Sequence, residues 1–113
     1  MILDRIASRL EQYMDLVSAR QKLVVSNIAN VDTPGYKTQD LDFQTEFRNQ
    51  VEGLSARPVE IAGLTTKNDG NNVDLDREAR LLAENALRFT VASNLMRSEI
   101  RAVKSAIQGG TNG

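Results

Sequence analysis

The sequence predicts an all-α protein in which two long terminal amphipathic helices pack as an antiparallel coiled-coil hairpin around a loop-rich central segment containing one short helix. Two observations predict this fold. Apolar residues recur at alternating spacings of three and four before residue 31 and after residue 74, which is helical periodicity. Between these stretches, glycine, proline and asparagine are frequent and the periodicity is weak. Packing the two helices together is the simplest way to bury both seams within one chain.

The 113-residue chain is short enough for one elongated domain. The predicted parts are an N-terminal helix over residues 1–31, a turn motif and partly irregular central segment over 32–73, a C-terminal helix over 74–108 and a flexible tail over 109–113. The first residues lack the basic region and apolar core of a signal peptide, so any export would occur without a cleaved signal.

Composition excludes several classes of function. The chain has no cysteine or histidine, which removes thiol nucleophiles, disulfides, the commonest zinc ligands and the usual general base. Its net charge of −1 offers no electrostatic case for binding nucleic acid. We therefore expect no enzyme activity, no metal or cofactor site and no small-molecule substrate.

The N-terminal helix is predicted from one apolar seam. Two polar residues, Arg20 and Asn27, interrupt it; such interruptions cost stability and specify a particular partner or register. The seam residues are Leu3, Ile6, Leu10, Tyr13, Val17, Val24 and Ile28.

A turn motif follows this helix. Pro34 cannot continue an ordinary helix, and Pro34-Gly35 is the pair that a type II turn prefers at its centre. Asn27 and Asn30 are suited to capping the helix end. The motif residues are Asn27, Ile28, Ala29, Asn30, Asp32, Thr33, Pro34, Gly35 and Tyr36.

In the central segment, Phe43, Phe47 and Val51 share one face of a predicted short helix, with Asp40 or Asp42 as its N-cap. This anchor either docks onto the long helices of its own chain or contacts a neighbouring subunit. Residues 53–73 carry turn chemistry, with one short extended piece at 58–61, and we expect this region to be mobile in an isolated subunit.

The C-terminal helix has the strongest periodicity. Asp74 or Asp76 is its predicted N-cap, and Gly109-Gly110 its predicted end. One seam position carries Leu75, Leu82, Phe89, Met96 and Val103, and its companion carries Ala79, Ala86, Ser93, Ile100 and Ile107. A second ridge, predicted to be an association surface, contains Leu81, Leu87, Val91 and Leu95.

The turn motif, read from Ser26 to Lys37, resembles the signature of the flagellar axial protein family of rod, hook and hook-associated subunits. A second segment, from Asp69 to Glu78, narrows the resemblance to the proximal rod members. The match covers nearly the whole chain apart from residues 53–66, and the central segment is short for the family.

The resemblance implies a structural, self-assembling subunit of the bacterial flagellum that serves motility. It would be exported by the flagellar type III apparatus and built into the periplasmic rod of the basal body. The implied partners are other proximal rod subunits, the junction protein FliE and membrane-ring or export-gate proteins. The alternative that the periodicity also allows is a soluble helical adaptor or secretion chaperone that does not polymerise.

Overall fold

A computed structural model of the chain describes residues 2–51 and 56–112. The predicted mostly helical fold with two long terminal helices is confirmed. Within the described residues no helix has the length and hydrophobicity needed to cross a membrane. The molecule measures 71 × 26 × 18 Å. The elements in chain order are α1 (Ile2–Ala29), β1 (Gln39–Asp40), α2 (Phe43–Val51), β2 (Val59–Glu60) and α3 (Leu75–Asn112).

Helices α1 and α3 lie alongside each other. Near one end, the Asn27 side chain donates a hydrogen bond to Glu78 Oε2 at 3.2 Å. Further along, Arg88 Nη1 donates to the Tyr13 hydroxyl at 3.3 Å. Positions that come later in α1 therefore contact positions that come earlier in α3.

The apolar core is small, and α1 supplies half of it. Leu16 is completely buried although it lies outside the predicted seam, because α1 packs on α3 and on the segment containing β1 and α2, which widens its buried face. Val17 and Val24 of the predicted seam are buried, whereas Ile6 is 39% exposed. The Leu3 side chain lies outside the described part. The buried apolar residues are Leu16, Val17, Val24, Leu41, Leu81 and Ala92.

The expectation that α3 buries its apolar seam against α1 is wrong. The face of α3 that meets α1 carries the buried residues Glu78, Leu81, Asn85 and Ala92. Hydrogen bonds of Glu78 and Asn85 to α1 take the place of part of the apolar contacts that the heptad spacing predicts. Among the seam residues, Ala86 is exposed, Met96 and Val103 are half-buried, and the large exposed ones are Leu75, Leu82, Phe89, Ile100 and Ile107.

Helix α2 docks onto α1 of its own chain. Asp42 caps it, since the backbone N–H of Glu46 donates to the Asp42 carbonyl at 2.9 Å and the Thr45 hydroxyl donates to the Asp42 carboxylate at 2.9 Å. Phe43 and Phe47 stand edge-on to the Tyr13 ring, with centroids 5.4 and 6.0 Å away. Phe43 and Phe47 therefore dock onto the long helix of their own chain, as one of the two alternatives predicted. The Val51 side chain lies outside the described residues.

Short strands and caps complete the fold. The predicted extended piece forms β2, which pairs antiparallel with β1, a strand that the sequence did not predict. Asp74 is the N-cap of α3, because its carboxylate accepts the backbone N–H groups of Asp76 and Arg77 at 3.0 and 3.2 Å. At the other end the helix continues through the glycine pair to Asn112, beyond its predicted end at 108. Glycine lowers helix stability by only about 1 kcal/mol and does not force a helix to stop.

Candidate functional site

The two sequence motifs that carry the family resemblance meet at one end of the molecule. Residues 27–40, after α1, contact residues 67–78, before and within the first turn of α3. We call this contact region the junction. It is held mainly by buried polar groups, which are costly to bury unless each finds a partner.

The turn itself has the predicted chemistry. The N–H of Tyr36 donates to the Thr33 carbonyl at 3.2 Å, and Gly35 has a φ of 75°, as a type II turn requires at its third residue. Asn30 caps the helix, since its side-chain amide donates to the Ser26 carbonyl at 2.8 Å. The local sequence therefore accounts for the local geometry of this turn.

Asn27, predicted as a second cap, has a different role and lies at the centre of the junction. Its side chain is completely buried. Its amide nitrogen donates to the Gln39 carbonyl at 2.8 Å and to Glu78 Oε2 at 3.2 Å. Its amide oxygen accepts the Tyr36 hydroxyl at 2.8 Å and the Gln39 N–H at 3.1 Å. One side chain thus connects α1, the turn, β1 and α3.

A chain of ion pairs lies beside Asn27. Asp40 accepts two hydrogen bonds from Arg20, at 2.8 and 2.9 Å, and one from Arg77 at 2.6 Å. Arg77 also donates to Glu78 at 2.6 Å. Glu78 is completely buried, so it is part of the junction although it lies in the first turn of α3.

The pKa of the Asp40 carboxyl is lowered in the folded chain. Burial opposes its ionisation, but the hydrogen bonds from Arg20 and from the Leu41 backbone, together with the charge of Arg20, outweigh burial and hold its pKa below the usual value. Asp40 is therefore ionised at neutral pH, and the two arginine–carboxylate pairs around it are charge-balanced.

The loop before α3 is bonded to the turn through two asparagines. Asn71, completely buried, donates its amide to the carbonyls of Asn30 and Thr33 at 2.8 and 2.9 Å. Asn72 accepts the N–H of Thr38 at 2.6 Å, while the Thr38 hydroxyl donates to the Asn72 carbonyl at 3.2 Å. The part of the central segment nearest α3 therefore has a fixed place against α1.

Two glycines allow the turn and this loop to cross. Gly35 donates its N–H to the Asp69 carbonyl at 2.8 Å. Gly70 has a φ of 86°, and a Cβ added to it would lie 3.3 Å from the Cα of Gly35. A side chain at Gly70 would thus be strained by the dihedral angle and crowded by the facing backbone.

The chemistry of the junction is structural. Asn27, Asp40, Asn71 and Asn72 direct their polar atoms at neighbouring protein groups. Among the residues that the structure describes, no group of three or more carboxylates could hold a metal ion. The site can fix the relative placement of α1, the turn and α3.

Two exposed apolar surfaces run along α3, one on each side of the face that meets α1. Flank A contains Leu75, Leu82, Phe89, Ile100 and Ile107; flank B contains Leu87, Val91 and Leu95. Since helical residues advance by about 100°, Leu87 lies about 140° around the helix from Leu82. The sequence singled out both sets, and their role in association stays a prediction.

An open groove of about 540 Å³ lies beside flank B, lined by Leu10 and Tyr13 of α1 together with residues of α3. At its edge Arg88 donates to Glu84 at 2.7 Å, and this hydrogen bond lowers the pKa of the Glu84 carboxyl. Groove and flank form one continuous apolar surface with a charged rim, as association surfaces commonly have.

Sequence reasoning missed the ion-pair chain. The local pattern predicts Asp40 only as a helix cap, because its two basic partners, Arg20 and Arg77, lie 20 and 37 positions away in the sequence. The one available signal was Arg20, a charged residue at a position where the seam calls for an apolar one. That signal predicts a specific buried partner but does not say which acid supplies it.

Comparison with known proteins finds similarity to flagellar basal body rod proteins. The family described as flagella basal body rod protein matches residues 14–37, which include most of α1 and the turn motif. The chain is similar to the flagellar basal body rod protein FlgB of Salmonella typhimurium, with 28% identity over 137 aligned positions covering 96% of this chain and 99% of the relative. It is similar to FlgB of Bacillus subtilis, with 28% identity over 118 positions covering 89% and 92%.

FlgB of Borrelia hermsii is 27% identical over 123 positions, covering 86% of this chain and 91% of the relative. The Salmonella alignment has more positions than this chain has residues, so it contains gaps in this chain. That agrees with a chain that is short for its kind. The aligned regions extend from α1 through the junction to α3, so the chain is similar along nearly its whole length to flagellar basal body rod proteins.

Proposed function

We propose that this chain is a structural subunit of the rod of the bacterial flagellar basal body and has no catalytic activity of its own. The observation that carries this proposal is the junction, in which the two motifs of the family resemblance bond to each other through Asn27, Asn71 and Asn72. The family is one of structural rod proteins, and a region whose polar atoms are directed at its own backbone suits a structural part.

We further propose that α1 and α3 form an antiparallel coiled-coil hairpin whose closed end is the junction. The contacts of Asn27 with Glu78 and of Tyr13 with Arg88 support it, because they run in opposite directions along the two helices. The turn motif would then be the joint between these two helices and the segment containing β1 and α2, which packs back against α1. Flanks A and B would be the surfaces that neighbouring subunits cover, since apolar patches of this length are unusual on a monomer.

The partners and the location follow from the resemblance. We propose that the chain associates with itself, with other proximal rod subunits, with the junction protein FliE and with membrane-ring or export-gate proteins. It would reach the periplasmic part of the basal body through the flagellar type III apparatus without a cleaved signal. The relatives named flagellar basal body rod protein support the location in the basal body.

The test is complementation of the source bacterium after deletion of this gene. The wild-type chain should restore swimming and should be found by mass spectrometry in purified basal bodies. If the chain restores swimming but is absent from basal bodies that are otherwise complete, it is the soluble adaptor or secretion chaperone instead. A deletion strain that swims normally and builds normal basal bodies would contradict both functions.

A further inference from the structure

Flank A belongs to a heptad seam that borders α1 and whose large residues Leu75, Leu82, Phe89, Ile100 and Ile107 stay exposed in the described structure. Its leading position is occupied throughout by large apolar residues, from Leu75 to Val103. Its companion position is small in the first half of the helix and large in the second. The companion residues in order are Ala79, Ala86, Ser93, Ile100 and Ile107. This size gradient indicates the direction in which a second helix would run.

We propose that, before assembly, two copies of this chain pair through flank A in solution, with their α3 helices antiparallel about a two-fold axis near residue 91. In that arrangement large residues of one copy meet small or complementary residues of the other. The layers are Phe89 with Ser93, Met96 with Ala86, Val103 with Ala79, Ile100 with Leu82 and Ile107 with Leu75. A parallel pair would instead stack alanine on alanine and phenylalanine on phenylalanine, which leaves voids in some layers and crowding in others.

Charge at the edge of the seam favours the same direction. Asp76 is exposed beside the start of the seam, and Lys104 is exposed beside its end. The two positions lie four heptads apart, about 42 Å along one helix, so they cannot meet within a chain. The antiparallel pair brings Asp76 of each copy next to Lys104 of the other, which gives two attractive contacts by symmetry.

The rest of the fold leaves this surface accessible. Helix α2 and its aromatic contacts to Tyr13 lie on the side of flank B, where Tyr13 also lines the large groove. Beside Phe89, the groove on the other side is lined only by residues of α1 and α3. Helix α2 therefore does not cover flank A, and a second copy that pairs through flank A would also come close to α1.

A two-fold contact is closed: once two copies are paired, neither offers flank A to a third. This pair is a soluble form of the chain that the proposed function does not include. It covers the surface on which neighbouring rod subunits would dock. Pairing and incorporation into a rod then compete for the same residues, and the pair has to dissociate before a subunit is built in.

A charge swap tests the pairing and its direction. Sedimentation equilibrium of the full chain should give a dimer whose dissociation constant rises roughly three- to tenfold in Asp76→Lys and in Lys104→Asp, because each creates two like-charge contacts. The double variant should return to within about twofold of wild type. Val91→Asp on flank B should leave the constant unchanged. A chain that stays monomeric at every concentration, or a double variant no better than the singles, would overturn the proposal.

Cross-linking gives an independent readout, because the chain has no native cysteine. With a short bismaleimide, Thr90→Cys should cross-link two copies, since position 90 lies next to its own equivalent in the antiparallel pair. Ala79→Cys should not, because its two copies would be about 36 Å apart. The opposite outcome, with cross-linking at 79 and none at 90, indicates a parallel pair and refutes this one. Circular dichroism of each variant should match wild type.

Discussion

The junction and the exposed length of α3, which we call the shaft, are held and recognised through opposite kinds of side chain. In the junction, polar side chains such as Asn27 and Asn71 are completely buried and fully engaged with neighbouring groups. Along α3, residues as large as Leu82, Phe89 and Ile107 remain exposed. Hydrogen bonds require precise geometry, so the junction fixes one shape for the subunit. Apolar surface is non-directional, so the shaft retains its capacity to bind other helices.

The largest effect should come from a charge on the shaft. Phe89→Asp should abolish swimming and incorporation into basal bodies, because a neighbouring helix would bury an unpaired carboxylate at a cost of several kcal/mol. The isolated chain should stay folded, with its free energy of unfolding lowered by no more than about 1 kcal/mol, since Phe89 is 40% exposed. Leu82→Asp and Ile100→Asp should behave alike.

Thr90→Asp is the matched control, because Thr90 is exposed and lies about 100° around the helix from both Phe89 and Val91. It adds the same charge at a position outside both flanks and should leave swimming intact. Basal bodies of normal appearance in the Phe89→Asp strain would show that flank A has no part in assembly. Swimming assays and electron microscopy of purified basal bodies provide the measurements.

On the shaft, the sequence predicts the apolar periodicity. It does not predict which helix or subunit packs against the apolar face. Heptad spacing identifies an apolar face but does not say what covers it. The face that meets α1 could not be found in this way, because Glu78 and Asn85 occupy buried positions against the hydrophobic pattern. Such residues are tolerated only through contacts distant in sequence, such as Asn85 with Gln21, 64 positions away.

Next in size is the central hydrogen-bonding group of the junction. Asn27→Ala should lower the free energy of unfolding by roughly 3 kcal/mol, because it leaves the backbone N–H and carbonyl of Gln39 and the buried Glu78 carboxylate without one of their partners. Urea denaturation followed by circular dichroism gives the value. Asn68→Ala, in the exposed loop, should change it by less than about 0.5 kcal/mol. Equal losses in both variants would show that the junction does not depend on Asn27.

In the junction, too, the sequence predicted local chemistry better than distant contacts. The turn around Pro34 and Gly35 was predicted because proline and glycine restrict or relax their own dihedral angles. The contact of that turn with Asn71 joins residues about forty positions apart. No periodicity marks such a pair, and only the resemblance of both segments to one family drew attention to them together.

A smaller effect separates backbone strain from crowding. Gly63 and Gly70 have nearly the same φ, 84° and 86°, but an added Cβ meets nothing within 4 Å at Gly63 and the Cα of Gly35 at 3.3 Å at Gly70. Gly63→Ala should therefore cost about 1 kcal/mol, the strain of positive φ alone. Gly70→Ala should cost about 2 kcal/mol, since the turn must also shift. Thermal or urea unfolding that gives equal losses would mean that the crossing of the two loops has room to spare.

The smallest effect is the pH dependence that Asp40 confers. Its carboxyl has a pKa below the ordinary value of 3.8 in the folded chain, so its contribution to stability is fully present above that value and is lost as the pH falls through the lowered pKa. Each unit of lowering corresponds to about 1.4 kcal/mol.

Asp40→Asn should therefore flatten the fall in unfolding free energy as the pH is lowered below about 4, measured by urea denaturation at each pH. Glu84→Gln serves as the comparison: the pKa of Glu84 is also lowered by its arginine, but its side chain is 39% exposed, and solvent weakens that pair. If Glu84→Gln flattens the curve more than Asp40→Asn does, the buried ion pairs of the junction contribute less to the free energy of unfolding than a surface pair. The hydrogen bonds around Asn27 would then hold the junction without those ion pairs.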